Sequence, residues 1–76
     1  MKEILETIIL NLVDDKESVE VTEKETNNLI ELQVKISKDD MGKVIGKQGR
    51  IANAIRTLMK SVAGKENKKI FIEFVD

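Results

Sequence analysis

The chain has 76 residues, of which 41% are hydrophobic and 36% charged, so it has room for one domain and the composition of a globular protein. It contains no cysteine and no histidine, which excludes disulfides, thiolate metal sites and the commonest general base at neutral pH. Its apolar runs are too short to span a bilayer, and its first residues lack the basic start of a signal peptide. We therefore expect a soluble cytoplasmic domain with little catalytic equipment.

The charge is unevenly distributed along the chain. Residues 1–41 carry five basic and eleven acidic residues, whereas residues 42–69 carry eight basic residues and one acidic residue. The two segments have net charges of −6 and +7, although the whole chain has a net charge of only −1. This asymmetry suggests one basic face that binds a polyanion, and an unevenly charged solvated surface is the plainer alternative.

The first half of the chain predicts a helix followed by a hairpin. Apolar residues at helical spacing predict a helix over residues 2–13. Alternating apolar and polar residues predict one strand near residues 19–22 and a second over residues 29–36. Asn27 and Asn28 tolerate the positive φ angles of a tight turn, so we expect these strands to pair antiparallel.

The second half predicts two helices and a last strand. Ser37 and Asp40 fit a capping box that begins a short helix, which Gly46 ends. A second helix begins after Gly49 and is capped by Gly64, and residues 70–75 form the third strand. The fold class is α+β in the order α-β-β-α-α-β, and three strands need their three helices packed on one face. The predicted interior residues are Ile4, Ile8, Leu12, Leu32, Val34, Leu58, Val62, Ile72 and Phe74.

The segment between the two later helices carries the predicted chemistry. Two glycines three positions apart let the backbone take unusual angles and approach another molecule closely. The free amides at the start of the second helix form an anion site, and basic side chains surround it. Apolar side chains lie beside it, which suits single-stranded nucleic acid. The candidate binding residues are Lys43, Val44, Ile45, Gly46, Lys47, Gln48, Gly49, Arg50, Ile51 and Ile55.

Other glycine-rich motifs fail on spacing. A Walker phosphate loop needs four residues before a Gly-Lys-Ser/Thr, but three residues separate Gly42 from Gly46, and Gln48 follows Lys47. A dinucleotide fingerprint needs three glycines after a strand, whereas this loop follows a predicted helix. A Gly-x-x-Gly pair alone is weak, because glycines often end helices for structural reasons.

The order of elements and the segment Val44-Ile45-Gly46-Lys47-Gln48-Gly49-Arg50 resemble a K-homology (KH) domain of type II. More narrowly, the run from Asp40 to Arg50, continued by Ala54-Ile55-Arg56-Thr57-Leu58, resembles the KhpA family of small bacterial single-domain KH proteins. The resemblance covers residues 1–76 as a single KH domain.

The resemblance implies a mixed three-stranded sheet and binding of single-stranded RNA. It implies that Gly46, Lys47, Gln48 and Gly49 hold the sugar-phosphate backbone, beside an apolar groove for about four unstacked bases. It also implies a homodimer, and a heterodimer with a larger RNA-binding protein that carries a KH domain. A post-transcriptional regulator or RNA chaperone is the function that follows, with no cofactor, metal or catalytic residue and no membrane partner.

Two other function classes compete with RNA binding. A carboxylate enzyme site is disfavoured, because nothing groups Asp14-Asp15 or Asp39-Asp40 with a base or nucleophile. A protein-interaction or dimerisation module with little RNA binding of its own is the serious alternative. Replacing Lys47 and Gln48 with acids separates the two hypotheses.

Overall fold

The computed structural model describes the backbone of residues 1–76 and every side chain except that of Lys47. Three helices and three strands follow one another in the predicted order α-β-β-α-α-β, and single 3₁₀ turns lie at 16–18, 38–40 and 47–49. The elements are α1 (Lys2–Leu10), β1 (Glu20–Thr26), β2 (Leu29–Lys35), α2 (Met41–Ile45), α3 (Arg50–Gly64) and β3 (Lys69–Val75). The predicted α+β fold class is confirmed.

The three strands form one mixed sheet with β2 in the centre. Strand β1 runs antiparallel to β2, with Val21 opposite Val34, and β3 runs parallel to β2, with Ile72 beside Leu32. The predicted two-residue hairpin turn is confirmed, because Thr26 pairs with Leu29 and Asn27 has a φ of 49°. Both β1 and β3 are therefore edge strands.

The helices cover one face of this sheet. In β2, buried Ile30, Leu32 and Val34 alternate with exposed residues, so the strand has one covered face and one open face. On the covered face, buried apolar side chains from the helices and strands form one cluster. Its members are Leu5, Ile9, Val13, Val21, Ile30, Leu32, Val34, Ile36, Val44, Ile55, Met59 and Ile72.

Two predicted interior residues are wrong. Ile4 is 43% exposed and Leu58 is 50% exposed, whereas Leu5 and Met59, each one position further along, are fully buried. The apolar stripe of α1 is so wide that spacing alone does not decide which line of side chains faces the sheet. In α3, buried Ala52 and Ala63 lie on the same side as Met59, so small residues set the contact line there.

The predicted ends of two helices also shift. Helix α1 ends at Leu10, and beyond it the backbone amides of Asp14 and Asp15 donate to the carboxylate of Asp40 instead of continuing the helical pattern. After α3, Asn67 rather than Gly64 takes the left-handed conformation, with a φ of 59°. Backbone hydrogen bonds from Lys68 to Ala63 and from Asn67 to Gly64 form a Schellman motif, which leads the chain directly into β3.

A buried carboxylate joins the start of α2 to the loop after α1. Asp40 is 2% exposed, and its carboxylate accepts hydrogen bonds from the backbone amides of Asp14, at 3.2 Å, and Asp15, at 3.0 Å. The Ser37 hydroxyl donates to the same carboxylate, at 3.0 Å. The predicted capping box is therefore wrong, because in such a box the hydroxyl accepts a hydrogen bond from a backbone amide of the helix. Because the Asp15 amide in particular stabilises the charged form, the pKa of Asp40 lies below its ordinary value.

We expect Asp40→Asn to lower the free energy of unfolding at about pH 7, because it removes the charge that these donors stabilise. A carboxyl whose pKa is lowered by folding stabilises the protein above its unfolded-state pKa. That stabilisation is lost as the pH falls through the lower folded-state value. The unfolding free energy of the variant should therefore depend less on pH in the acidic range. Urea unfolding followed by circular dichroism measures both effects.

Asp39→Asn is the matched control, because Asp39 is the exposed neighbour of Asp40. Equal unfolding free energies for the two variants at about pH 7 would contradict the anchoring role of Asp40.

Candidate nucleic-acid interface

The loop between α2 and α3 begins with an unusual backbone conformation at Gly46. Its φ of 68° and ψ of −178° lie in a region that is essentially open to glycine alone. The Gly46 amide donates to the carbonyl of Gly42, at 2.8 Å, which completes the last turn of α2. The chain therefore leaves the helix sharply at this residue.

The missing side chain of Gly46 also makes room for Ile51. A Cβ atom built on Gly46 would lie 2.7 Å from the Cβ atom of Ile51 and closer still to the outer atoms of that side chain. Real Cβ atoms do not approach so closely, so the loop lies directly against the first turn of α3. Gly46 is required both by its backbone angles and by space.

Gln48 and Gly49 give the loop its second bend. Both residues are left-handed, with φ values of 54° and 81°, and the Gly49 amide donates to the carbonyl of Gly46, at 3.0 Å. A Cβ atom on Gly49 would meet only the Asn53 side-chain amide, at 4.0 Å, so Gly49 serves the backbone conformation rather than a close contact. Gln48 is exposed, and the side chain of Lys47 lies outside the described part of the structure.

Helix α3 presents its amino-terminal end to this loop. Gly49 is the N-cap, and among the described side chains none caps the first turn of the helix. The first amides of a helix have no helical acceptor and carry a partial positive charge, which favours an anion. Exposed Arg50 adds a full positive charge at the same end.

The four apolar candidates divide into two kinds. Val44 and Ile55 are buried members of the core cluster and anchor the two helices on either side of the loop. Ile45 is half-buried and Ile51 is 36% exposed, so these two side chains offer apolar surface beside the loop. The sequence pattern does not distinguish these roles, because both kinds of residue follow the same helical periodicity.

Lys43 makes its contacts with acids rather than with the loop. Its ammonium group forms an ion pair with Asp14 and lies 3.6 Å from the carboxylate of Asp40. The hydrogen bond to Asp14 is the main reason that the pKa of Lys43 lies above its ordinary value. The structure thus places Lys43 in the junction between α2 and the loop after α1.

Arg56 of α3 and Phe74 of β3 form a contact that the sequence pattern does not indicate. The Arg56 guanidinium lies over the ring of Phe74 in β3, 5.2 Å from its centroid, in a cation–π contact. The sequence indicated Arg56 only as part of the basic segment and of the run that resembles the family, because its aromatic partner lies in another element.

We expect Gly46→Ala to destabilise the protein more than Gly49→Ala. The second change adds left-handed backbone strain, about 1–2 kcal/mol, whereas the first adds both strain and the contact with Ile51. Urea unfolding of the two variants followed by circular dichroism makes the comparison. Equal losses of unfolding free energy would contradict the close seating of the loop on Ile51.

Two features of the described residues bear on other classes of site. Among the side chains that the structure describes, no three histidines, cysteines or acids are grouped so that they could hold a metal ion. Of the helices in the described part of the chain, none is long and apolar enough to cross a membrane.

Comparisons with known proteins agree with the fold. No solved structure matches the chain significantly. RNA-binding protein KhpA of Clostridium perfringens is 55% identical over 75 residues, which are 99% of this chain and 100% of that protein. The proteins of the same name from Clostridium acetobutylicum and Listeria monocytogenes are 52% and 47% identical, over 99% and 100% of this chain and the whole of each relative.

The family model described as the KH domain of KhpA and KhpB matches residues 2–74. This family consists of RNA-binding KH-domain proteins and is not an enzyme family. The bend at Gly46, the left-handed residues that follow and the helix that begins at Arg50 all lie within the matched range. The chain belongs to the KhpA/KhpB family of bacterial KH-domain proteins.

Proposed function

We propose that this chain, as a single KH domain over residues 1–76, binds single-stranded RNA through the loop Gly46-Lys47-Gln48-Gly49. The observation that carries the proposal is the backbone of this loop. Gly46, Gln48 and Gly49 all have positive φ, and the loop ends at the start of α3. The names of the relatives, all RNA-binding proteins, support the same class of ligand.

The phosphate group is bound by the start of α3. Its first amides and the exposed guanidinium of Arg50 favour an anion at this end of the helix. Because Gly49 carries no side chain and the space beside it is open, the sugar-phosphate backbone can approach the loop closely at this residue. Lys47 supplies a further positive charge within the loop sequence.

The bases contact the apolar surface beside the phosphate. Ile45 and Ile51 provide this surface, while buried Val44 and Ile55 keep it in position. Lys43 contributes least to the RNA contact, because its charge is already paired with Asp14. Its part in the site is to hold α2 in place.

The affinity of this site for RNA is modest and salt-sensitive. The chain has only two aromatic residues, Phe71 and Phe74, so stacking on rings contributes little beside the loop. Phosphate contacts then supply most of the binding free energy, and each one weakens as salt increases. A loose sequence preference follows, because phosphates carry no sequence information.

In the cell, this activity fits a cytoplasmic post-transcriptional regulator or RNA chaperone. The chain works as a homodimer, and it also pairs with a larger KH-domain RNA-binding protein. The family description, which covers KhpA and KhpB, supports a partner of this kind. Exposed Leu58 on α3 offers apolar surface for such an interface.

A protein-interaction module is the second candidate function. The observation that favours it is the 50% exposure of Leu58, because a large exposed apolar side chain on a helix is typical of a docking surface. Under this hypothesis the loop does not contribute to binding, and changes in it leave the activity intact. Dimerisation and RNA binding can also coexist on different surfaces.

We expect the double variant Lys47→Asp, Gln48→Asp to lose RNA binding and keep its fold. Two added carboxylates repel phosphate, and aspartate tolerates the left-handed conformation of Gln48. Fluorescence anisotropy with short labelled single-stranded RNAs at about 50 and 200 mM salt measures the binding. Circular dichroism checks the fold, and sedimentation velocity checks that the oligomeric state is unchanged.

The matched control is Lys24→Asp, Asn28→Asp, which makes the same charge change on the β1–β2 hairpin. Binding that the loop variant loses and the control keeps supports the loop as the RNA clamp. If both variants bind RNA as tightly as the native chain, or if the native chain binds none, the RNA-clamp proposal is wrong and the interaction-module hypothesis takes its place.

A further inference from the structure

Strand β1 leaves one side of its backbone without a partner. Because a two-residue turn follows it, Thr26 and Leu29 form a hydrogen-bonded pair, and so does every second pair back along the hairpin. The amides and carbonyls of the residues in between, Val21, Glu23 and Glu25, therefore point away from β2. No other backbone group of residues 1–76 bonds to them.

The free side of β1, hereafter the β1 edge, is long and accessible. The strand has seven residues, of which all but Val21 are exposed, and it spans about 20 Å at about 3.4 Å per residue. Natural sheets protect such an edge with a proline, a bulge or charged side chains. Strand β1 contains no proline, and its pairing with β2 is unbroken from Glu20 to Thr26. Of these three devices it has charged side chains alone.

The charges of the β1 edge are mainly negative. Strand β1 carries Glu20, Glu23 and Glu25 against one lysine, a net charge of −2. Glu23 accepts a hydrogen bond from the neutral backbone amide of Lys2, at 3.0 Å, and Glu25 forms an ion pair with Lys68. Neither Glu20 nor Glu23 has a basic partner among the described side chains. The edge therefore keeps unbalanced negative charge beside backbone groups that point outwards.

These charges decide which kind of strand fits the β1 edge. They repel the phosphates of RNA. Full antiparallel pairing of two copies of β1 centres on Glu23 and places the two Glu23 side chains opposite each other, which is destabilising. A strand with basic side chains is stabilised instead, because opposite charges on neighbouring strands attract. The net charge of −6 over residues 1–41 also attracts such a strand from solution.

We propose that the β1 edge binds an extended basic segment of a partner protein as a fourth strand of the sheet. The backbone of this segment pairs with Val21, Glu23 and Glu25, and its lysine or arginine side chains contact Glu23. The β1 edge is separate from the proposed RNA site, because β1 and β3 are opposite edges of the sheet and α3 packs against β3. One chain can therefore hold RNA and the basic segment together.

The first experiment measures the fluorescence anisotropy of a labelled peptide of about eight residues in which lysine and valine alternate. A twin peptide has glutamate in place of lysine. The native chain should bind the basic peptide, more weakly at about 200 mM than at about 50 mM salt, and should not bind the twin. Glu23→Lys should weaken the basic peptide about fivefold or more, because it places like charges on neighbouring strands. Glu31→Lys is the matched control, since it makes the same charge change in the central strand β2 and should leave the affinity unchanged.

A second pair of variants separates strand pairing from charge alone. Both Glu23→Gln and Glu23→Pro remove the charge, but only proline also removes the outward amide. An edge strand tolerates proline where its amide faces solvent, and circular dichroism checks that both variants fold. The proline variant should bind the basic peptide about fivefold more weakly than the glutamine variant, because one hydrogen bond is lost.

Amide spectra of the native chain keep the proposal testable if the proline variant does not fold. The basic peptide should shift the amides of Val21, Glu23 and Glu25 and slow their hydrogen exchange. Equal binding of the two peptides, equal losses in Glu23→Lys and Glu31→Lys, or shifts that leave β1 unchanged would overturn the proposal. So would the absence of binding by the native chain, and none of these results would affect the proposed RNA site.

Discussion

The backbone of Gly46 is the constraint on which the candidate site depends. Its angles are open to glycine alone, and its missing side chain is the space that Ile51 occupies. The loop therefore lies directly on the first turn of α3, with the amides of that helix beside it. A binding site for a flexible strand gains affinity when its own groups are already in place, because less entropy is lost on binding. The close seating of Gly46 on Ile51 is thus part of how the site is preorganised.

The other end of α2 is held by a different interaction. A helix of five residues does not persist alone, so α2 needs support at both ends. Asp40 supplies this support at the start of α2 by accepting hydrogen bonds from two backbone amides of the loop after α1. Lys43 adds an ion pair across the same junction. Val44, fully buried, fixes the middle of the helix in the core. In this way Asp14 and Asp15, which are far from the loop in sequence, help to hold α2 and with it the loop.

Much of this architecture could be predicted from the sequence, because the deciding information is local. Alternation in β2, the asparagine turn before it and the glycines around Lys47 each specify their own conformation. The sequence does not reveal which line of α1 faces the sheet, since Ile4 and Leu5 are equally apolar and only tertiary packing separates them. Nor does it reveal the pairing of Lys43 with Asp14, or the contact of Arg56 with Phe74, because both join residues from different elements. The candidate site could be predicted as a loop, whereas the residues that support it are joined by long-range contacts.

The most direct test of the account is a two-dimensional amide spectrum of the isotopically labelled chain, titrated with a single-stranded RNA of about eight nucleotides. RNA binding at the loop predicts the largest shifts at the backbone amides of Gly46 to Ile51 and none in β1. Shifts confined to α1 and β1, or to the exposed side of α3 around Leu58, would contradict it, because RNA would then bind a surface that the loop does not form.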